Sequence, residues 1–253
     1  MAENSKIEWT ESTWNPVTGC TKISDGCANC YAQRLALRLK EMGQKKYVHG
    51  FNVTLHPETL NEPLKWKKPR MVFVCSMSDL FHNDISDDFI FKVFEIMNKA
   101  THHIFQVLTK RPQRLFKMKN DINWTDNIWI GTTVESEKYA YRVKYLRVVP
   151  ASVKFLSLEP LLSPVNNMRL EEIDWVIVGG ESGPVSRIVK KEWITDIKNK
   201  CRENNIPFFF KQWGGVNRKK TGSLLDGELW KQMPEATPVK NNYEEHGFSF
   251  MGT

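Results

Sequence analysis

MVFVCSMSDLFH, residues 71–82, carries the pattern on which the fold turns: five apolar residues in succession, then a polar knot with Ser76, Ser78, Asp79 and His82. A strand that is apolar at every position has both faces covered, as in a parallel sheet, because a solvated face would show polar residues in alternation. The same order recurs along the chain. Apolar runs at 7–10, 53–56, 71–75, 103–108, 128–131, 153–158, 175–178 and 207–210 read as strands. Segments 31–42, 87–100, 136–147 and 191–204 read as helices. Alternating β and α elements predict right-handed crossovers and a parallel sheet. Eight runs predict a (β/α)8-like, TIM-type barrel or a partial barrel, and 253 residues suit one such domain of about 250. Residues 1–215 are expected to form the α/β barrel. Residues 216–253, where the pattern dissolves into VNRKKTGSLLDGELWKQMP and a polar tail, are expected to form a short C-terminal extension packed on it.

Polar residues collect where the runs end: LHPE at 55–58, LTKRP at 108–112, GTTVES at 131–136, SLEP at 157–160, GGESG at 179–183 and FKQWGG at 210–215. Parallel α/β folds place their active sites at these C-terminal strand ends. Strand-ending turns account for Gly, Pro and Ser there. They do not call for Asp79, Lys110, Glu135, Glu159, Glu181 and Lys211, so the rim reads as that of an enzyme.

Composition narrows the setting. No stretch approaches the roughly 18 unbroken apolar residues of a membrane span, and MAENSKIEWTEST lacks the charged-then-apolar order of a signal peptide. A cytoplasmic protein with no membrane partner is the expectation. A net charge of +7 favours an anionic partner. KWKKPR (65–70), KRPQRLFKMK (110–119) and NRKK (217–220) add stretches in which cations, mostly among aromatics, suit phosphates and stacked bases, so nucleic acid is the expected partner.

GCTKISDGCANCYAQRL, residues 19–35, gathers Cys20, Cys27 and Cys30 in one loop, while Cys75 and Cys201 lie far away. Such an odd set is poor material for a secreted disulfide framework. Three thiolates in a loop hold a metal or a cluster. Structural zinc wants four ligands, with His49, His56, Cys75 or His82 the nearest candidates for the fourth. A cubane [4Fe-4S] cluster on three cysteines leaves one iron free for a substrate or cofactor. Unliganded cysteines are the third reading.

NPVTGC (15–20) followed by DGCANCYAQRL (25–35) resembles the three-cysteine signature of radical S-adenosylmethionine (SAM) enzymes close to spore photoproduct lyase. VTLHPE (53–58), FVCSMSDLF (73–81) and HIFQVLTKRP (103–112) look like that group's later landmarks, in the same order. The whole chain is similar to an uncharacterised, largely phage-associated family with the same cysteine loop, GGESG and FKQWGG. One departure stands out: six residues, TKISDG, separate the first two cysteines, where the usual spacing has three.

The resemblance implies a barrel of the radical SAM kind, with a [4Fe-4S] cluster on Cys20, Cys27 and Cys30, SAM on the free iron and an external electron donor. It implies reductive cleavage of SAM to a 5′-deoxyadenosyl radical. It places Ser76, Ser78, Asp79, Lys110, Glu135 and Glu159 around SAM, with Gly180 and Glu181 of GGESG on the same rim. Cys75 is the candidate hydrogen-atom donor, and a buried structural thiol is its other reading. Charge and resemblance together suggest repair or modification of a nucleic-acid base, with DNA ranked ahead of RNA. A non-catalytic iron–sulfur nucleic-acid-binding protein, and a radical SAM enzyme acting on a peptide or small molecule, are the alternatives.

Overall fold

Six of the eight apolar runs enter one parallel sheet, and its seventh strand comes from a stretch just beyond the first run. The computed structural model describes residue 5 and residues 7–235; residues 236–253 of the expected extension lie outside the described residues. β1 spans Ser12–Trp14, while β2 (Val17–Thr18) and β3 (Thr54–Leu55) pair only with each other, antiparallel. β4 (Met71–Val74), β5 (Ile104–Thr109), β6 (Ile128–Thr133), β7 (Val153–Leu158), β8 (Trp175–Gly179) and β9 (Phe208–Gln212) follow. The sheet order is β1-β4-β5-β6-β7-β8-β9, with every neighbouring pair parallel. It curls into a half-barrel, so the partial form of the expected barrel is the one adopted.

The helices are α1 (Tyr31–Glu41), α2 (Asp87–Lys99), α3 (Pro112–Met118), α4 (Val143–Leu146), α5 (Lys191–Glu203) and α6 (Arg218–Thr221). A hairpin of β10 (Leu224–Leu225) and β11 (Glu228–Leu229) follows α6. Among the described residues no helix is long and apolar enough to cross a membrane.

Four expectations need correction. Runs 7–10 and 53–56 do not enter the parallel sheet. Both alternate apolar with polar residues, IEWT and VTLH, and so cannot sit covered on both faces. Trp9 instead turns inward, and Thr54 and Leu55 join the short antiparallel ladder. The helix expected over 136–147 begins as a 3-10 stretch, Glu137–Arg142, before α4. α3, within a stretch read only as basic, starts on Pro112, whose fixed φ suits a first helical turn.

Alternation along the strands builds two cores. Val72, Val74, Phe105, Val107, Ile128, Ile130, Val176 and Val178 face the helices and meet Phe89, Ile90, Val93 and Met97 of α2 and Ile194, Ile197 and Cys201 of α5. Cys201 is thus a packing residue. The intervening positions Phe73, Trp129, Phe155, Trp175, Ile177 and Phe209 join Trp9 on the concave side. Gly131 makes room there, since a Cβ on it would fall 2.5 Å from the Phe155 ring. These rings plug the half-barrel where its strands begin and leave its other end open.

Candidate functional site

The open end is a cavity of about 490 Å³. Trp9, Phe73 and Leu108 form its floor, Lys110, Thr133, Ser157, Glu159 and Lys211 line its walls, and the loop between β2 and α1 brings Cys20, Cys27 and Cys30 to it. All three thiols are free and partly exposed. The loop leaves β2 through Gly19, whose φ of +84° and whose lack of a Cβ let the backbone pass the Asn52 carbonyl; a Cβ would lie 2.1 Å from that oxygen. Cys30 then occupies the N-cap position of α1.

Side chains from three strand ends tie this loop down. After β5, Arg111 donates to Thr21 O and Oγ1, both at 3.1 Å, and its Nη1 lies 3.5 Å from Cys20 Sγ. After β6, Glu135 accepts from Ser24 Oγ and pairs with Arg142 at 2.7 Å, and the Tyr139 hydroxyl accepts from Asp25 N at 3.1 Å. After β8, Glu181 accepts from Asn29 Nδ2 at 3.1 Å and from Arg187 at 2.6 Å, while Arg187 also donates to Asp25 O at 3.0 Å.

Electrostatics follow from these partners. Burial, helped by the Asp79 charge, pushes the Cys20 thiol up to about 11 against the pull of Arg111. Burial pushes the Cys75 thiol up to about 12, although a Val17 backbone hydrogen bond opposes it. Burial raises the Glu181 carboxyl, but its bonds to Arg187 and Asn29 outweigh that and hold it low, so it is a carboxylate at neutral pH. Among the described residues no three Cys, His, Asp or Glu side chains gather as a single metal ion requires. A tetrahedral zinc would need its sulfurs about 3.8 Å apart. Two of the zinc-ligand candidates are also engaged elsewhere: His56 bonds Thr18 Oγ1 at 2.8 Å and His82 bonds Thr21 Oγ1 at 2.7 Å.

A family model described as protein of unknown function (DUF5131) matches residues 4–234. The chain belongs to that family. No curated protein and no solved structure matches it. The span matched by the DUF5131 model runs through every element from β1 to β11, cysteine loop included.

In this DUF5131 chain most residues singled out from sequence meet at the cavity: Cys20, Cys27, Cys30, Cys75, Ser76, Ser78, Asp79, Lys110, Glu159, Gly180 and Glu181 all line it. Glu135 does not; it is fully buried beneath the cysteine loop. Lining does not mean availability. Asp79 already accepts from Phe81 N, Thr109 Oγ1, Lys110 N and Arg111 Nη1, which fills the four sites of a carboxylate. Ser78 Oγ donates to Gly19 O at 2.6 Å and so steadies the start of the loop. Sequence reasoning missed Ser24, Asn29, Arg111 and Arg187. Arg111 stood beside Lys110 in LTKRP, and Arg187 lies six residues past Glu181 of GGESG; Ser24 and Asn29 carry no local signal, because their partners lie more than a hundred residues away.

Proposed function

We propose that the chain is an iron–sulfur enzyme of the radical SAM type that repairs or modifies a nucleic-acid base. One observation carries this reading: three free cysteines of a single tethered loop open on one cavity at the C-terminal mouth of a parallel half-barrel. The donor set fits a [4Fe-4S] cluster better than a single ion. Each cubane iron takes its own cysteine, so the sulfurs stand apart, and among the described residues no three ligands gather on one point. When bound, the cluster supplies the electron, received from an external donor, that cleaves SAM to a 5′-deoxyadenosyl radical.

The chain's own residues hold and shield. Arg111, Glu135 and Glu181 keep the loop in register, and the aromatic floor closes the cavity from water below. Lys110 offers a cation and Ser76 a hydroxyl to a bound cofactor. Cys75, buried and protonated on the cavity wall, is placed to give up a hydrogen atom.

Anaerobic reconstitution tests the reading. About four iron and four sulfide per chain are expected, and Cys20→Ala, Cys27→Ala or Cys30→Ala should each lose them. Stoichiometric zinc without sulfide overturns the cluster. With dithionite and SAM the loaded chain should release 5′-deoxyadenosine; a stable cluster that releases none leaves the non-catalytic iron–sulfur protein. Binding to oligonucleotides should fall steeply between about 50 and 200 mM salt, and no binding at low salt removes the nucleic-acid substrate.

A further inference from the structure

Beneath the cysteine loop, Lys211 Nζ lies 2.9 Å from Glu159 Oε1, and both side chains line the cavity, 18% and 15% exposed. Lys211 stands on β9 and Glu159 just after β7, and β8 between them leaves the carboxylate its place: a Cβ on Gly179 would fall 2.7 Å from Glu159 Oε1. Ser157 Oγ lies 3.5 Å from Glu159 Oε2. On the same cavity wall system, Thr133 of β6 is 1% exposed, and its hydroxyl has no hydrogen-bond partner. A buried hydroxyl left unpaired is costly, and a ligand atom in the cavity would satisfy it.

The charges choose among ligands. A free anion meets Glu159 as soon as it reaches Lys211, and a free cation meets the reverse. An uncharged group with a donor beside an acceptor matches the pair. A lactam edge, a ring N–H next to a ring carbonyl, fits this best, because its N–H is acidic and its oxygen is a strong acceptor, so both bonds are charge-assisted. The apolar floor of Trp9, Phe73 and Leu108 suits the faces of a flat ring.

We propose that Glu159, Lys211 and Thr133 form a binding site for an uncharged planar heterocycle with a lactam edge, the pattern of uracil, thymine, hypoxanthine and guanine. Glu159 accepts from the ring N–H, Lys211 donates to the carbonyl, and the Thr133 hydroxyl meets a further polar atom of the ring. As a substrate site it rests on the proposed function above; as a binding site it stands without the cluster.

Calorimetric titration of the full chain tests it with uridine and inosine, their edge-blocked forms 3-methyluridine and 1-methylinosine, and cytidine and adenosine. Uridine or inosine should bind, and its methylated form should bind about tenfold more weakly or worse. Glu159→Gln combined with Lys211→Met removes both charges without stranding either and should abolish binding at an unchanged melting temperature. Thr133→Val, nearly isosteric, should weaken binding about threefold to tenfold and carries the test if the double variant does not fold. Equal binding of the methylated forms, stronger binding of cytidine or adenosine, an unaffected Thr133→Val, or no nucleoside binding overturns the site. Thymidine against a short oligothymidylate separates sources: tighter binding of the oligomer assigns the ring to a strand, and equal binding assigns it to a free nucleoside. Iron and sulfide are read on the same samples. A chain that holds its cluster and ignores every lactam overturns this site alone, whereas one that binds uridine and holds no cluster overturns only the cluster.

Discussion

Where the strands of the half-barrel begin, its concave side is filled by Trp9, Phe73, Trp129, Phe155, Trp175 and Phe209; where the same strands end stand Asp79, Lys110, Glu135, Glu159 and Glu181. The rings pack at centroid distances such as 4.7 Å for Trp9 and Phe73 and 5.7 Å for Phe155 and Trp175. That end is held by burial of apolar surface, which is non-directional and tolerates no void. The other end is held by directed bonds, and its charges divide into two kinds. Asp79, Glu135 and Glu181 spend their oxygens on the chain itself, fixing the cysteine loop. Glu159 and Lys211 pair with each other on the open cavity wall. Polar residues at a strand-end rim therefore serve as clamps or as ligands, and only the count of partners tells which.

The contrast can be broken at either end. Phe155→Ala should have the largest effect: about 3–5 kcal/mol off the unfolding free energy by urea denaturation, because a fully buried ring against Gly131 leaves a void that no neighbour can fill. A loss near that of an exposed residue would show that the ring cluster is loose. Glu135→Gln should cost about 3 kcal/mol, since Arg142, 1% exposed, loses its charged partner. It should also speed proteolysis within residues 20–30, as Ser24 exchanges a charged acceptor for a neutral one; a destabilised chain with an equally protected loop would separate the two roles of Glu135.

The smallest effect is one of pH. His103, just before β5, is fully buried with Nε2 3.1 Å from Pro63 O. Burial first, and the adjacent His102 ring second, lower it from 6.5 to about 4. Between those values the unfolded chain takes a proton that the folded chain refuses. Stability should therefore be full above about pH 6.5 and fall progressively as the pH drops toward 4. His103→Gln should flatten that slope in denaturation at stepped pH, and an unchanged slope would assign the loss to other groups.

The runs that are apolar at every position, such as MVFV and WVIV, became sheet strands as read, because covering both faces is a property of the segment. The three cysteines and the start of α1 at Tyr31 were legible for the same local reason. IEWT and VTLH misled, since a short alternating run fits several partners and only the assembled sheet chooses. It paired Ser12 with Val72 and left Trp9 to plug the floor. The rim shows the limit most sharply. Glu135 and Glu159 follow equivalent strands, yet one is buried under the loop with Ser24 and Arg142, and the other faces Lys211 in the cavity. The chain alone determined that carboxylates would stand at these strand ends. Which became a clamp and which stayed open to a ligand was decided only in the tertiary structure, because Ser24, 111 residues from Glu135, is brought to it by the path of the loop and not by any local pattern.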